Sequence, residues 1–253
     1  MIRKLAFIGV LFWCAILRAE TITVSAAISL KEALGDVAKQ YAADTNDQVN
    51  LNFGASGLLA SQIEQGAPVD LFVSAGAKQV DALVKDGLAD PATRTAVATN
   101  ELVLIVPAGA KNPPAKFEDL TDPRFAHIAI GDPKTVPAGQ YAMQTLVSLN
   151  LEEPLATRLV EGANVRQVLI YVSLGEADAG VVYATDAAQA GKKVIVAAVA
   201  PETSHDPIVY PAVILKAGKT DAAARFLSYL QSDKARAILI AHGFGVPAAA
   251  TRP

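Results

Sequence analysis

Few positions in this chain combine residue types and spacing that could do chemistry. Gly54-Ala55-Ser56-Gly57-Leu58 approaches the Gly-x-Ser-x-Gly turn that presents a nucleophilic serine, but Leu58 stands where the last glycine belongs. His127, His205 and His242 are scattered: one begins an expected strand, one sits in a polar loop and one falls in the last turn of an expected helix. No pair has metal-ligand spacing, and no phosphate-binding glycine loop occurs. A hydrolase using Ser56 therefore requires a His or Lys base brought to it by the fold. A different feature recurs. Ser29, Ser56-Gly57, Ala138-Gly139 and Asn164-Val165 each stand where a strand or loop delivers the chain into the first turn of a helix. Helix starts leave backbone N–H groups unpaired, carry a partial positive charge and bind anions. Several such starts converging on one point would cage a small oxyanion with neutral donors alone.

Each start also has a plainer use. Ser29 and Asn164 serve as N-caps for their own helices. Gly54 to Gly57 and Val136 to Gly139 serve as connections, and Tyr183 as a core residue with its hydroxyl satisfied locally. Periodicity does not show that the four starts converge.

The elements that must position these residues follow from patterning. Thr21 to Ala27 reads as a strand, and Ser29 opens a helix with a capping box to Glu32 and an apolar face through Leu30, Ala33, Leu34, Val37, Ala38 and Tyr41. A strand over 48–53, a helix over 58–65, a strand over 69–74 and a helix over 77–86 continue the alternation, the mark of a parallel sheet with helices on its faces. Strands are expected over 100–107, 127–131, 179–183, 194–199 and 208–215, the last interrupted by Pro211 and so an edge or crossover segment. Helices are expected over about 140–149, from Asn164, over 185–190, over 220–230 and over 233–242.

Composition bounds the rest. The chain has 253 residues, 52% hydrophobic and 19% charged, enough for one large domain or two smaller ones. With 22 Lys and Arg against 25 Asp and Glu it is a poor candidate for nonspecific nucleic-acid binding, which runs on a basic face. Arg3 and Lys4 precede the apolar run Leu5 to Leu17, which is short for a bilayer span and reads as a cleaved export signal over 1–19 ending at Ala19. A lipoprotein anchor would use Cys14, but bulky Trp13 precedes it. Cleavage removes Arg3, Lys4 and Arg18 with the only Cys and the only Trp, leaving 19 basic residues against 25 acidic ones.

Several segments in order then match a family. Ala26-Ala27-Ile28-Ser29-Leu30, the run Phe53 to Ile63, the run Gly66 to Ala75, Gly131 to Gly139, Asn164-Val165-Arg166, Gly180 to Ala187 and Gly243-Phe244-Gly245 resemble the molybdate-binding periplasmic proteins of molybdate ABC transporters. The resemblance covers essentially the whole chain after the leader. It implies an α/β, type II two-lobed binding protein, each lobe a mixed sheet flanked by helices, with the ligand in the cleft. The lobes would be 20–101 plus 208–253, and 102–207 as an insertion. It implies that Ser29 and Ser56 donate hydroxyl and amide, Ala138 and Val165 their backbone N–H, and Tyr183 its phenol. The implied ligand is molybdate or tungstate, held with no cation and no cofactor. The implied partner is a membrane permease, and the protein is expected to be a periplasmic monomer that catalyses nothing. Sulfate, or another tetrahedral oxyanion, is the alternative ligand. Two departures stand out: Ile28 occupies a position where a small residue is common, and Gly57 one where some members carry serine.

Overall fold

Strand β1 (Thr21–Ala27) pairs in parallel with β2 (Gln48–Gly54) and β3 (Leu71–Val73), with α1 (Lys31–Thr45), α2 (Ser56–Glu64) and α3 (Ala77–Lys85) in the connections. The computed structural model describes residues 19–245 and Pro247. The expected export signal, Ala19 aside, lies outside the described residues. Val24 and Ala26 are fully buried and β3 is buried throughout, whereas β2 alternates: Val49, Leu51 and Phe53 face inward and Gln48 and Asn50 outward. That is the pattern of an interior strand pair beside a half-covered edge. Helix α1 seats Ala33, Leu34, Val37, Ala38 and Tyr41 on this sheet, as the apolar spacing predicts. Each large side chain so buried contributes roughly 1.5–3 kcal/mol. Asn46 ends the helix in the left-handed region at φ 65°.

The chain then forms β4 (Thr95–Thr99) and crosses to a second sheet through β5 (Leu102–Pro107), β6 (Ile128–Gly131), α4 (Pro137–Ser148), α5 (Glu152–Leu155), β7 (Leu159–Gly162), α6 (Val165–Ser173), β8 (Ala179–Tyr183), α7 (Ala184–Ala190) and β9 (Val194–Val199). It returns through β10 (Val209–Ile214) and ends in α8 (Thr220–Leu230) and α9 (Asp233–Ala241). The first sheet has the order β2-β1-β3-β10-β4 and the second β7-β6-β8-β5-β9. In each, three parallel strands are followed by an antiparallel fourth, which is the first strand laid down after a crossing. Among the described residues no helix is long and apolar enough to cross a membrane.

Several sequence expectations need correction. β10 is not an edge strand: it pairs with both β3 and β4, and the register shift between Tyr210 and Pro211 accommodates the proline. β4, β7 and α5 have no counterpart among the expected elements, because Thr-Ala-Val-Ala-Thr offers little apolar bulk and the other two span only four residues each. The capping box at Ser29 does not form. Ile28–Leu30 make a single 3-10 turn, and Leu30, not Ser29, is the residue before α1, with no side-chain cap. Helices α2 and α4 begin two and three residues earlier than the pattern suggests, at Ser56 and Pro137.

Candidate functional site

Those shifted helix starts decide the site. With α2 beginning at Ser56, this serine is the first helical residue, and its amide has no acceptor within the helix. Its Oγ accepts the N–H of Ala75 at 3.0 Å, just beyond β3. Ser29, released from any capping duty, lies in the 3-10 turn after β1, and its Oγ is 3.1 Å from Tyr210 Oη. Both serines are buried.

The second sheet delivers its contribution through backbone. Pro137 takes the first position of α4, where a missing N–H costs nothing, so the first amide hydrogen of that helix belongs to Ala138. Gly139 is required by the approach of α4 to β6: a Cβ there would collide with the Gly131 carbonyl. Asn164 caps α6 as expected, its Oδ1 accepting the Gln167 N–H at 3.0 Å. The cap leaves the amide of Val165, the first residue of α6, without an intrahelical acceptor. Tyr183 ends β8 fully buried, and its hydroxyl donates to the Ala75 carbonyl at 3.2 Å. Burial pushes this phenol well above its ordinary pKa, so it stays a neutral donor.

Ser29, Ser56, Ala138, Val165 and Tyr183 all line one small cavity between the sheets. The fold thus brings together the five residues that the family resemblance implies, whereas Gly57, Gly139 and the three histidines stand outside the lining. Among the described residues the lining contains no Asp, Glu, Lys, Arg or His. Arg166, next to Val165, is engaged elsewhere: it lies 2.6 Å from Glu32 in α1 and 2.6 Å from Asp186 in α7. The guanidinium charge of Arg166 and its contact with the Asp186 carboxyl both favour the ionised form of that carboxyl. Even so, burial pushes the Asp186 carboxyl up to about 7, against the pull of Arg166.

Among the described residues neither a His nor a Lys lines the cavity beside Ser56. His127 is exposed near Asp178, His205 bonds the Asp206 carbonyl and His242 lies 3.0 Å from Asp36. None of the three lines the cavity. Among the described residues no group of His, Cys, Asp and Glu is arranged to hold a metal ion.

Contacts between the two sides close around the cavity. The Gly57 N–H donates to the Thr135 carbonyl at 2.9 Å, Gln79 meets Gln140 at 3.4 Å, and Glu32 meets Arg166. A Cβ on Gly57 would lie 2.6 Å from that carbonyl oxygen, so the departure from serine here accompanies an unusually close approach. Ala75, Thr135 and Tyr210 are the residues that sequence reasoning misses. Ala75 sits inside a segment that carries the family resemblance, yet its two backbone bonds to Ser56 and Tyr183 have no signature in residue type.

Comparison with known proteins agrees with this architecture. A family model described as bacterial extracellular solute-binding protein matches residues 22–245. The molybdate-binding protein ModA of Haemophilus influenzae is 41% identical over 227 residues, 88% of this chain and 89% of that one. ModA of Escherichia coli is 36% identical over 229 residues, 89% of each. The solved structure of the periplasmic molybdate-binding protein of Azotobacter vinelandii aligns with a TM-score of 0.81 at 32% identity, covering 90% of this chain and 100% of that one. Two mixed sheets flanked by helices around an intervening cavity are the two-lobed, type II binding-protein architecture. The chain belongs to the family of bacterial extracellular solute-binding proteins.

Proposed function

We propose that this protein binds molybdate, with tungstate as a near-isosteric substitute, and delivers it to a membrane ABC permease. The observation that carries the reading is a small, largely apolar cavity between the sheets at which Ser29, Ser56, Tyr183 and the helix starts at Ala138 and Val165 meet, with no charged side chain in the lining among the described residues. The similarity to molybdate-binding relatives supports the choice of anion. Seven hydrogens are available in principle: amide and hydroxyl of Ser29 and of Ser56, the amides of Ala138 and Val165, and the Tyr183 phenol. The last is held by the Ala75 carbonyl here, so an anion must draw that proton away from it.

The lobes would be 20–101 plus 208–253, and 102–207. Ser29 and Ser56 come from the first and Ala138, Val165 and Tyr183 from the second, so only the closed arrangement offers all donors at once. An anion that contacts both lobes shifts the population toward closure. Export by a signal over 1–19, a periplasmic location, a monomeric state, the absence of a cofactor and the lack of catalysis complete the proposal. Selectivity follows from donor chemistry and size. A protonated phosphate presents an O–H that finds no acceptor among donors, which is costly when buried, and sulfate is too small to reach both sides at full hydrogen-bond length.

The test is thermal unfolding of the purified protein, stripped of carried-over anion, with molybdate, tungstate, sulfate or phosphate. A ligand at about 1,000 times its dissociation constant stabilises by roughly 4 kcal/mol, which raises the midpoint visibly. The expected outcome is a rise with molybdate and tungstate and little with the others. An equal rise with sulfate replaces the molybdate reading with a generic oxyanion site, and no rise with any of them rejects an anion site altogether.

A further inference from the structure

Ser29 and Ser56 face one cavity, but their hydroxyl protons are directed by different means. At Ser56 the Ala75 N–H occupies a lone pair of Oγ. An amide N–H cannot accept in return, so the serine proton is left for the cavity. At Ser29 the partner is another hydroxyl, Tyr210 Oη, and the 3.1 Å pair alone does not say which one donates.

The surroundings of Tyr210 settle the direction. Its ring is fully buried, edge-on to Phe244 at 5.5 Å and tilted against Tyr183 at 5.8 Å. Asn100 Nδ2 lies 3.1 Å from Oη. That amide has one sensible orientation: Oδ1 accepts the Glu101 N–H at 3.0 Å, and Nδ2 also donates to Thr185 Oγ1 at 2.8 Å. Turned over, it would set its NH2 against another N–H. Asn100 is therefore a donor to Tyr210, and an NH2 group accepts nothing. The buried phenol keeps its proton, because burial holds its pKa far above the ordinary value. Among the described residues the only other polar partner of Oη is Ser29 Oγ. The tyrosine proton goes there, and the Ser29 proton turns to the cavity.

We infer that Asn100 and Tyr210 form a hydrogen-bond relay that fixes Ser29 as a donor, so that Tyr210 is a positioning residue for anion selectivity. The inference rests on the oxyanion reading above and deepens it. A Ser29 held as a donor donates to a fully ionised oxygen of the ligand and offers no acceptor to an O–H. Released from Tyr210, the same hydroxyl turns its lone pairs to the cavity as readily as its proton. Asn100 lies at the crossing between the sheets and touches both Tyr210 in β10 and Thr185 in α7. Completion of the relay therefore depends on how the two sides sit.

The experiment measures molybdate and hydrogen phosphate binding calorimetrically for the unaltered protein, Tyr210→Phe, Ser29→Ala and the double variant. Tyr210→Phe is expected to weaken molybdate about 10-fold while leaving phosphate unweakened, so the preference between the anions narrows. In the Ser29→Ala background the same change is expected to alter molybdate affinity by less than about 2-fold, because the residue acts through the serine. Equal loss for both anions, or an undiminished loss without the serine hydroxyl, overturns the relay. If Tyr210→Phe does not fold, Asn100→Asp serves. Its carboxylate takes the tyrosine proton, Ser29 donates to Oη instead, and molybdate weakens more with Ser29 present than in Ser29→Ala; equal weakening overturns the relay. Failure of the unaltered protein to bind molybdate would instead reject the underlying function.

Discussion

The two lobes use the same sheet topology and approach the cavity with different chemistry. On the proposed reading the first contributes the hydroxyls of Ser29 and Ser56 together with their amides, and the second the backbone amides of Ala138 and Val165 with a single hydroxyl, the Tyr183 phenol. A backbone N–H can only donate. A hydroxyl donates or accepts, whichever its neighbours leave to it. The second lobe's amides therefore need only a well-placed helix start, which Pro137, Gly139 and the Asn164 cap provide. The first lobe needs contacts behind the cavity as well: Ala75 for one serine and Tyr210 for the other. Sensitivity to side-chain replacement should accordingly be concentrated in the first lobe.

Ser56→Ala tests this most directly. It removes a donor to a charged ligand and strips the Ala75 N–H of its acceptor, and should weaken molybdate about 30-fold by calorimetry. Next comes Gly57→Ala, which drives a Cβ toward the Thr135 carbonyl and so opposes closure rather than removing a donor. About a 10-fold loss is expected, with the unliganded thermal midpoint unchanged or raised, since alanine favours the helix. An unaltered affinity there would show that the close approach is not needed for binding.

The smaller effects lie on the second side. Asp186 gains its raised pKa on folding, so between 3.8 and about 7 the native chain holds a proton that the unfolded chain has released. Stability contributed by this group is present at low pH and lost as pH rises through that window. The thermal midpoint should fall from pH 5 to pH 8, and Asp186→Asn should flatten the fall; an identical slope in the variant would contradict the assignment. Val165→Ala should do least to the ligand. The trimmed side chain is buried and its loss costs about 2 kcal/mol of stability, yet the donor is main chain, so molybdate affinity should stay within about 2-fold. A loss comparable to that of Ser56→Ala would erase the distinction between the lobes.

The sequence made much of this legible, unevenly. Strands β8 and β9 and helix α8 have the bounds that their patterning predicts, because each is a strongly apolar or strongly amphipathic run between clear stops. Pro211 misleads, since a proline in a strand signals an edge only when no bulge absorbs it. Ser29 misleads in a more instructive way: Ser-x-x-Glu reads as a capping box, but a 3-10 turn intervenes and frees the hydroxyl for Tyr210. Local pattern describes what a residue can do for its own helix. It does not reveal that a partner 181 positions away competes for the same oxygen.

By itself, then, the sequence determined the alternation of strands and helices and, to within about three residues, the helix starts at which small and hydroxyl residues gather, with a charge balance that favours dipoles over basic side chains at an anion site. These depend on neighbours a few residues apart, where propensity and periodicity act. Tertiary structure alone decided that the four starts meet at one cavity, that Arg166 is turned away to two carboxylates, and which way each hydroxyl points. Those outcomes depend on the crossing of two sheets and on buried hydrogen bonds between distant segments, where every proton must find an acceptor and only the assembled fold supplies one.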